Sequence, residues 1–457
     1  MIVGKFLSRF IGASENRAYL IKGSAGTFAL HGSSILLGFL TSWIFAKLLG
    51  VDQYGLFTWF LSWLTVLGTL AVMGLELYLV KLTANYRSSN NLSLLKGAWM
   101  YAVFVVLTVS ALILLLTALL FFPLNQIFSF PLGSILANSE NKKLLAILLL
   151  CLPFIAISRV FEGMLRGAKF VISSQFPEML VKPLLLLVLA IGCYCIGNAS
   201  ITLTQTIYLQ ICSIVFATLI YAFLLVKKFP GDFFSATAKY EISPWTKGML
   251  SFLAVSILSI INTRADLILL GSLASPAEVG IYNIAARLAD VPKTILIAAN
   301  LVMAPMIADF FTRQDFNRLQ KLLTKSVRLI TLSAVPIFLA FVFGGKTILS
   351  FWGIAFKQGY FALVCMGFAQ LFNLAMGSVG VVLMMTGHQR WVSYGLALGT
   401  ATGFLLNLFL IPLMGLNGAA FAALASTVVW NFFLAAIVIK KLGLDPTILG
   451  FLKPKPH

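Results

Sequence analysis

Long apolar runs alternate with short polar connectors along the chain, from residue 25 to residue 440. Each run holds about 20 or more residues, which is enough for a helix to cross a hydrocarbon core of roughly 30 Å. Strands of a membrane barrel would be about half as long and would alternate strictly between apolar and polar residues, so the runs predict helices. Twelve spans are predicted, at residues 25–49, 55–81, 97–122, 144–165, 176–197, 201–226, 247–271, 277–308, 326–350, 359–386, 391–413 and 416–439.

Few residues of the chain are charged. Of its 457 residues, 60% are hydrophobic and 10% are charged, whereas about 25% of the residues are charged in an average soluble domain. We therefore interpret the chain as an all-α polytopic membrane protein with twelve transmembrane helices. The five cysteines all lie inside predicted spans, so we expect neither a disulfide framework nor a metal site built on them.

The basic residues are concentrated in alternate connectors, and the net charge of the chain is +19. Because Lys and Arg are retained in cytoplasmic loops, this alternation predicts a multi-pass protein with both termini in the cytoplasm. The distribution also argues against a nucleic-acid partner. The basic connectors are residues 81–96, 166–182, 227–247 and 313–328, together with the amino terminus and the carboxyl-terminal tail.

The two halves of the chain contain the same landmarks in the same order. The segment "LLGVDQYGLF" (48–57) is repeated as "LLGSLASPAEVGIY" (269–282), and Gly50 and Gly271 lie 221 residues apart. A repeat of six spans whose copies start on the same side predicts two six-helix bundles related by a pseudo-two-fold axis along the membrane normal. The predicted parts are a cytoplasmic amphipathic segment (1–24), an N-lobe (25–228), a cytoplasmic linker (229–246), a C-lobe (247–441) and a cytoplasmic tail (442–457).

Three segments resemble a known family of transporters. They are "LLGVDQYGLF", "ADLILLGSLASPAEVGIYNIAARLADV" and "MTGHQRWVSYGLALGTATGFLLNLFLIPLMGLNGAAFAALAST". They are similar to the Wzx-type polysaccharide and O-antigen flippases of the multidrug/oligosaccharidyl-lipid/polysaccharide (MOP) exporter superfamily, and the resemblance covers essentially the whole chain.

The resemblance implies two lobes in a V shape that work by alternating access. It implies transport of undecaprenyl-pyrophosphate-linked oligosaccharide units to the outer leaflet of the bacterial inner membrane, for surface polysaccharides such as lipopolysaccharide. It also implies a cationic central cavity, no enzymatic activity and no cofactor, with H⁺ or Na⁺ as the candidate coupling ion. Membrane lipids and other membrane proteins of polysaccharide assembly are the further partners to expect.

Charged residues inside the seventh and eighth spans need a functional or structural reason, because an ionisable residue at the centre of a spanning helix costs roughly 2.5–3.5 kcal/mol. Arg264 lies seven residues before Gly271, where its span ends, and Arg287 lies seven residues after Gly280, near which the next span re-enters the membrane, so both are about 10 Å deep. Asp266 is slightly shallower than this level and Lys293 lies deeper. We predict substrate binding by Arg287, Arg264, Asn283 and Lys293.

Two carboxylates accompany these cations, and we assign Asp266 and Asp290 to ion coupling or to structural ion pairs. Arg264 stands about 160° from Asp266 around the helix, which predicts that only one of them faces the cavity and that the other contacts a neighbouring helix. Which residue does which stays open. Pairing of Arg264 with Asp290, or of Asp266 with Arg287, is the structural alternative to a role in transport.

The fourth span carries a second charged set at positions i, i+3 and i+7, namely Arg159, Glu162 and Arg166. These residues fall on one face near the cytoplasmic end. Because guanidinium groups match phosphate oxygens bidentately, we assign Arg159 and Arg166 to substrate binding and Glu162 to coupling or pairing. Snorkelling to the interface is the alternative for Arg166, and it is favoured for Glu76 near the end of its span.

Two other classes of function were weighed against a flippase. A cation-coupled multidrug exporter of the same superfamily would be expected to carry an acidic residue in its first span, and residues 25–49 contain none. A membrane enzyme of glycan assembly would be expected to show a long catalytic loop or an Asp-rich motif, and the sequence shows neither.

Bends are predicted at Pro153, Pro292, Pro305 and Pro336, and residues 311–329 are predicted to form a separate amphipathic helix.

Overall fold

The computed structural model describes residues 14–121, 135, 138–196, 201–229 and 231–450, and all regular secondary structure in this part is helical. The predicted amino-terminal segment (1–24) lies largely outside the described residues, as do the last seven residues of the predicted tail. The helices are numbered in chain order as α1 (Ser14–Val72), α2 (Leu75–Ser88), α3 (Leu92–Phe121), α4 (Ser139–Leu149), α5 (Leu152–Gly167), α6 (Val171–Phe176), α7 (Lys182–Ile196), α8 (Leu203–Lys228), α9 (Gly231–Ser235), α10 (Ile242–Leu273), α11 (Pro276–Ala289), α12 (Lys293–Thr312), α13 (Phe316–Ser350), α14 (Tyr360–Met376), α15 (Val379–Met385), α16 (Gln389–Met414) and α17 (Leu416–Leu442).

Eleven helical segments of the described chain are long and apolar enough to cross a membrane. The first of them, Ala29–Val72, has 44 residues, which corresponds to about 66 Å of helix and is twice the thickness of a hydrocarbon core. It is interrupted at Gly50, where φ is 75° and ψ is 174°, so it contains two spans. The protein is therefore a multi-pass membrane protein, and the predicted count of twelve spans is confirmed.

Equivalent spans of the two halves are interrupted at equivalent places. The second span breaks at Met73 and Gly74, both with positive φ, and the eighth breaks between Ala289 and Lys293. The breaks lie about 218 residues apart, close to the spacing of the sequence repeat. The prediction of a bend at Pro292 is confirmed, whereas the break at Met73 and Gly74 was not among the predicted bends.

The predicted amphipathic helix at residues 311–329 is not a separate element. Helix α13 starts after Asp315, whose carboxylate accepts a hydrogen bond from the Arg318 backbone, and runs without a break to Ser350. The reason is local, since residues 324–335 contain neither Gly nor Pro to end the helix. The amphipathic segment is thus continuous with the ninth span and forms the beginning of the same helix.

The described residues pack into two compact units. The first contains the spans of the amino-terminal half up to residue 257, apart from two segments. The second contains those segments, Phe45–Trp63 and the described part of residues 131–141, together with the chain from Leu258 onward. The lobe boundaries predicted from the connectors stay a prediction.

The predicted linker at residues 229–246 packs against the first unit. The backbone N–H of Lys239 donates to Ser93 O at 3.0 Å, and Lys96 Nζ donates to Ala236 O at 2.9 Å. Trp245 Nε1 donates to the Tyr86 hydroxyl at 3.0 Å, and burial raises the pKa of this phenol. The linker is therefore a fixed part of the first unit's surface.

The start of the predicted tail packs against the second unit. The Asp445 N–H donates to Gln320 Oε1 at 2.8 Å, and Gln320 Nε2 donates to Asp445 O at 2.7 Å. Arg328 Nε donates to Ile448 O at 3.1 Å, and Leu444 is fully buried. Residues 443–450 therefore lie across the first turns of α13.

Candidate functional site

The second unit contains a cavity of about 410 Å³. Its walls come from α10, α11, α14, α16 and α17 and from the start of α12. Six of the nine residues predicted as functional line it. They are Arg264, Asp266, Asn283, Arg287, Asp290 and Lys293.

A tight turn brings the charged parts of α10 and α11 together. Ser275 caps α11 by accepting a hydrogen bond from the Glu278 backbone at 3.3 Å, and Pro276 occupies the first helical position, which it suits because that position needs no N–H donor. Two residues, Ala274 and Ser275, separate the helices. Arg264 and Arg287 therefore line the same cavity, as their similar distances from the turn lead one to expect.

Asp266 is held by two neutral donors. The Tyr282 hydroxyl donates to Asp266 Oδ2 at 2.8 Å, and Asn407 Nδ2 donates to Asp266 Oδ1 at 2.6 Å. Asn407 is fully buried in α16, so this carboxylate joins three helices of the second unit. The carboxylate thus contacts neighbouring helices and lines the cavity at once.

Arg264 and Asp266 both contribute to the lining of the cavity. They belong to a stretch of α10, from Ile261 to Leu267, in which every residue contributes to the wall. Which of the two side chains faces the transported substrate stays open.

Asp290 begins a chain of side-chain hydrogen bonds that leads from the cavity into the core. Gln370 Nε2 donates to Asp290 Oδ1 at 2.7 Å, and Asn373 Nδ2 donates to Gln370 Oε1 at 3.3 Å. Asn431 Nδ2 then donates to Asn373 Oδ1 at 3.0 Å, and Asn431 is fully buried. Asp266 and Asp290 both accept these hydrogen bonds from neutral side chains.

Asn283 is predicted to bind substrate, and the structure places it in the cavity wall with a buried side chain. Its Nδ2 donates to the Tyr54 hydroxyl at 2.9 Å. The charge of Arg287 acts on the same phenol. Asn283 therefore also holds Tyr54 in place. Tyr54 lies in α1, in the segment that packs in the second unit.

The charged groups of the cavity do not cancel. Three cationic side chains and two carboxylates line it, which leaves one formal positive charge when all five are ionised. The other polar lining groups are neutral donors and acceptors, among them Asn262, Gln370 and Thr400. In a region of low dielectric, such a lining favours an anion over a cation.

The charged residues of α5, in the first unit, form ion pairs. Arg159 Nη1 lies 3.2 Å from Glu76 Oε2, and Arg166 forms an ion pair with Glu162. Glu76, for which snorkelling was the favoured interpretation, is instead the partner of Arg159 on a neighbouring helix. A third pair joins Lys182 and Glu178 at 2.7 Å. The substrate-binding assignment of Arg159 and Arg166 stays a prediction, but carboxylates balance these cations.

Sequence reasoning missed the neutral partners of the carboxylates: Tyr282, Gln370, Asn373, Asn407 and Asn431. A single amide in an apolar run carries a weak signal, since it raises the cost of insertion far less than a charge does. The useful clue was "FLLNLFL", where Asn407 interrupts an otherwise apolar stretch of α16. No cluster of three or more metal-ligating side chains occurs among the described residues.

Comparison with known proteins supports a transporter fold. A sequence profile described as "Polysaccharide biosynthesis protein" matches residues 20–311. No curated protein matches the chain. Solved structures match it over nearly its whole length at low identity, and they show the fold alone.

Three of these structures show which kinds of protein share the fold. An inward-facing multidrug resistance transporter of the MATE family, in the MOP superfamily, has a TM-score of 0.68 at 14% identity and covers 94% of this chain and 95% of its own. The lipid II flippase MurJ in an inward closed conformation has a TM-score of 0.68 at 16% identity, with 92% and 87% covered. A MOP superfamily transporter from Pyrococcus furiosus has a TM-score of 0.60 at 13% identity, with 93% and 96% covered.

Proposed function

Because the chain belongs to the polysaccharide biosynthesis protein family, we propose that it is a flippase for undecaprenyl-pyrophosphate-linked oligosaccharides, which it moves from the inner to the outer leaflet. The membrane is the bacterial cytoplasmic membrane, both termini are cytoplasmic, and the product is a precursor of surface polysaccharide. The family description names polysaccharide biosynthesis, and the fold is one that transporters use. The substrate and the direction of transport are our inference.

The observation that carries this proposal is the cavity of the second unit. A pyrophosphate that enters a region of low dielectric needs fixed cations, because an uncompensated charge is costly there. Arg264, Arg287 and Lys293 supply three such cations in one cavity. Guanidinium groups also match phosphate oxygens in geometry, since two parallel N–H donors face two oxygens.

The size of the cavity sets which part of the substrate it receives. At about 410 Å³ it lies at the lower end of the range for pockets that hold a drug-sized ligand. It suits a pyrophosphate with the first sugar, while the polyprenyl chain stays in the membrane. Alternating access of the two lobes would then carry this group from one leaflet to the other.

Asp266 and Asp290 are our candidates for binding the coupling ion, H⁺ or Na⁺. Both line the cavity next to the cations, and each is held by neutral donors. A carboxylate so placed can take up a proton or a cation from the cavity. The competing proposal is a cation-coupled multidrug exporter, which the same two carboxylates would favour because they attract a cationic drug.

Lipids that copurify with the protein distinguish the two proposals. The full chain, purified in mild detergent, is expected to retain a polyprenyl-pyrophosphate oligosaccharide that mass spectrometry identifies. The double variant R264A/R287A is expected to lose it. The control variant R313A, which removes a largely exposed arginine outside the cavity, is expected to keep it. A bound organic amine in place of the lipid-linked sugar would refute the flippase proposal.

A further inference from the structure

A cluster of cations surrounds two aromatic rings at the basic end of the first unit. The Arg87 guanidinium lies 5.3 Å from the centroid of the Phe170 ring and 5.8 Å from that of Phe229. Lys228 Nζ lies 5.2 Å from the same Phe170 centroid. We call Arg87, Lys228, Phe170 and Phe229 the Phe170 cluster.

The cluster is held in place by backbone as well as by rings. Arg87 Nη1 donates to Ala168 O in the turn that ends α5. The turn is closed by the Phe170 N–H, which donates to Leu165 O at 2.9 Å. The Phe170 and Phe229 rings meet edge to face with centroids 6.2 Å apart. One guanidinium thus has a fixed position, with donors to spare beyond the one bound to Ala168.

The cations come from three different basic connectors: Arg87 at the end of α2, Lys169 in the turn after α5, and Lys227 and Lys228 at the end of α8. None of the salt bridges among the described side chains involves Arg87, Lys227 or Lys228. Orientation of the chain in a membrane needs only the charges of these connectors. Membrane orientation therefore does not explain why Arg87 and Lys228 contact the same Phe170 ring, or why the Arg87 guanidinium is held in place.

An apolar surface continues from the cluster along the membrane-spanning helices. On α8, the side chains of Leu219, Phe223 and Val226 are each more than 60% exposed. Helix α6 lies beside α8, because the Tyr221 hydroxyl donates to Ser174 O at 2.8 Å. The surface therefore has cations at the end of the helices and exposed apolar groups next to them, which is the pattern that a phospholipid complements.

We propose that the Phe170 cluster binds the phosphate of an anionic phospholipid, whose acyl chains lie against α6 and α8. Phosphate oxygens accept from the Arg87 fork and from the Lys228 ammonium, and the rings stabilise both cations while they are partly dehydrated. Basic pockets between spanning helices on the cytoplasmic side recognise anionic headgroups in this way. A zwitterionic headgroup gains less, because its own ammonium group is repelled.

This site differs from the cavity of the second unit, and its test does not depend on the transported substrate. The full chain is placed in nanodiscs of phosphatidylcholine and phosphatidylglycerol in equal amounts, then released and weighed by native mass spectrometry to count the bound lipids. The wild type is expected to keep phosphatidylglycerol over phosphatidylcholine by about tenfold. The double variant R87Q/K228Q is expected to lose this preference.

The sequence repeat offers a matched control. Lys440 and Lys441 end α17 as Lys227 and Lys228 end α8, and the double variant K440Q/K441Q removes the same charge from the equivalent place. It is expected to keep the preference, because no ring contact with either lysine is found among the described residues. If both double variants lost the preference for phosphatidylglycerol equally, the preference would come from surface charge in general, and the proposal would be overturned.

One further variant and one competitor lipid complete the measurement of lipid binding. The single variant K228Q removes only a ring contact, so it is expected to fold normally and to lose part of the preference even if Arg87 proves necessary for folding. Undecaprenyl pyrophosphate is added as a competitor. If it displaces phosphatidylglycerol from the wild type but not from R87Q/K228Q, the cluster belongs to the transported lipid and the proposal is wrong.

Discussion

Gly55 of α1 and Gly280 of α11 pack directly against each other, and a Cβ atom built on Gly280 would lie 3.2 Å from the Cα of Gly55. The two glycines occupy equivalent positions of the repeated segment, "YGLF" in the first half and "VGIY" in the second. The two copies of the repeat therefore meet each other within the second unit. The contact depends on the absence of both side chains.

We expect G55A to destabilise the protein. A Cβ on Gly55 would lie 1.7 Å from Pro276 O, and a backbone carbonyl cannot move aside as a flexible side chain can. Overpacking of this kind costs typically 1–3 kcal/mol, so the apparent melting temperature in detergent should fall. G192A is the control, because a Cβ there meets nothing within 4 Å.

The control variant G192A is not expected to lower the melting temperature as G55A does. Ala is better than Gly inside a helix by roughly 0.5–1 kcal/mol, and Gly192 lies inside α7. Its melting temperature should therefore stay equal or rise slightly. If the two variants melted alike, the close contact of Gly55 with Pro276 would not exist in the folded protein.

How much the sequence predicts depends on how the bilayer constrains each feature. Span length follows from membrane thickness, so apolar periodicity was enough to place the twelve spans. The cavity residues were found because charge is costly in lipid. The positions of Arg264 and Asp266 around the helix do not decide which of them faces the substrate, because seven consecutive residues of α10 line the cavity. Neutral partners such as Gln370 and Asn407 escaped because amides are tolerated in spans for many reasons.

Residues 443–450 should contribute to the stability of the second unit. Gln320 exchanges two hydrogen bonds with the backbone of Asp445, and both residues are buried. Q320L would leave a buried N–H and a buried carbonyl without partners, at roughly 1–3 kcal/mol for each unsatisfied group. The melting temperature of Q320L should fall, whereas K321A, which changes the exposed neighbour, should leave it unchanged.

The predicted orientation can be tested at equivalent points of the two halves. Reporter fusions after Lys228 and after Lys441 should both report cytoplasm, because both follow spans that end in basic residues. A fusion within the turn at residues 274–275 should report the opposite side. An outward signal from either lysine site would refute the prediction of cytoplasmic termini.

Substitution of each cavity carboxylate should reveal the coupling residue. We expect D266N or D290N to transport equally with and without an imposed H⁺ or Na⁺ gradient, because an amide can bind neither ion with a charge. D309N is the control, since Asp309 is half-exposed and paired with Arg313. Unchanged gradient dependence in both cavity variants would place coupling elsewhere.

Arg287 is the residue on which we expect substrate transport to depend most. It lines the cavity together with Arg264 and Lys293, and its charge acts on Tyr54. A phosphate accepts a point charge as well as a guanidinium fork, so R287K should retain part of the export activity. R287A and R287E should lose it, because a crossing pyrophosphate would then lack a cation at this position or meet a like charge.

The export activity of the Arg287 variants is measured by complementation of glycan export in a transporter-deficient strain, and the abundance of each variant in the membrane is determined alongside. A purely structural role for Arg287 predicts a different pattern. Removal of one partner from a buried charge pair is strongly destabilising, so abundance would fall in proportion to export. R313E controls for charge reversal outside the cavity and should export normally. Normal export by R287E at normal abundance would contradict the proposed substrate contact, since a reversed charge among the cavity cations should repel the pyrophosphate.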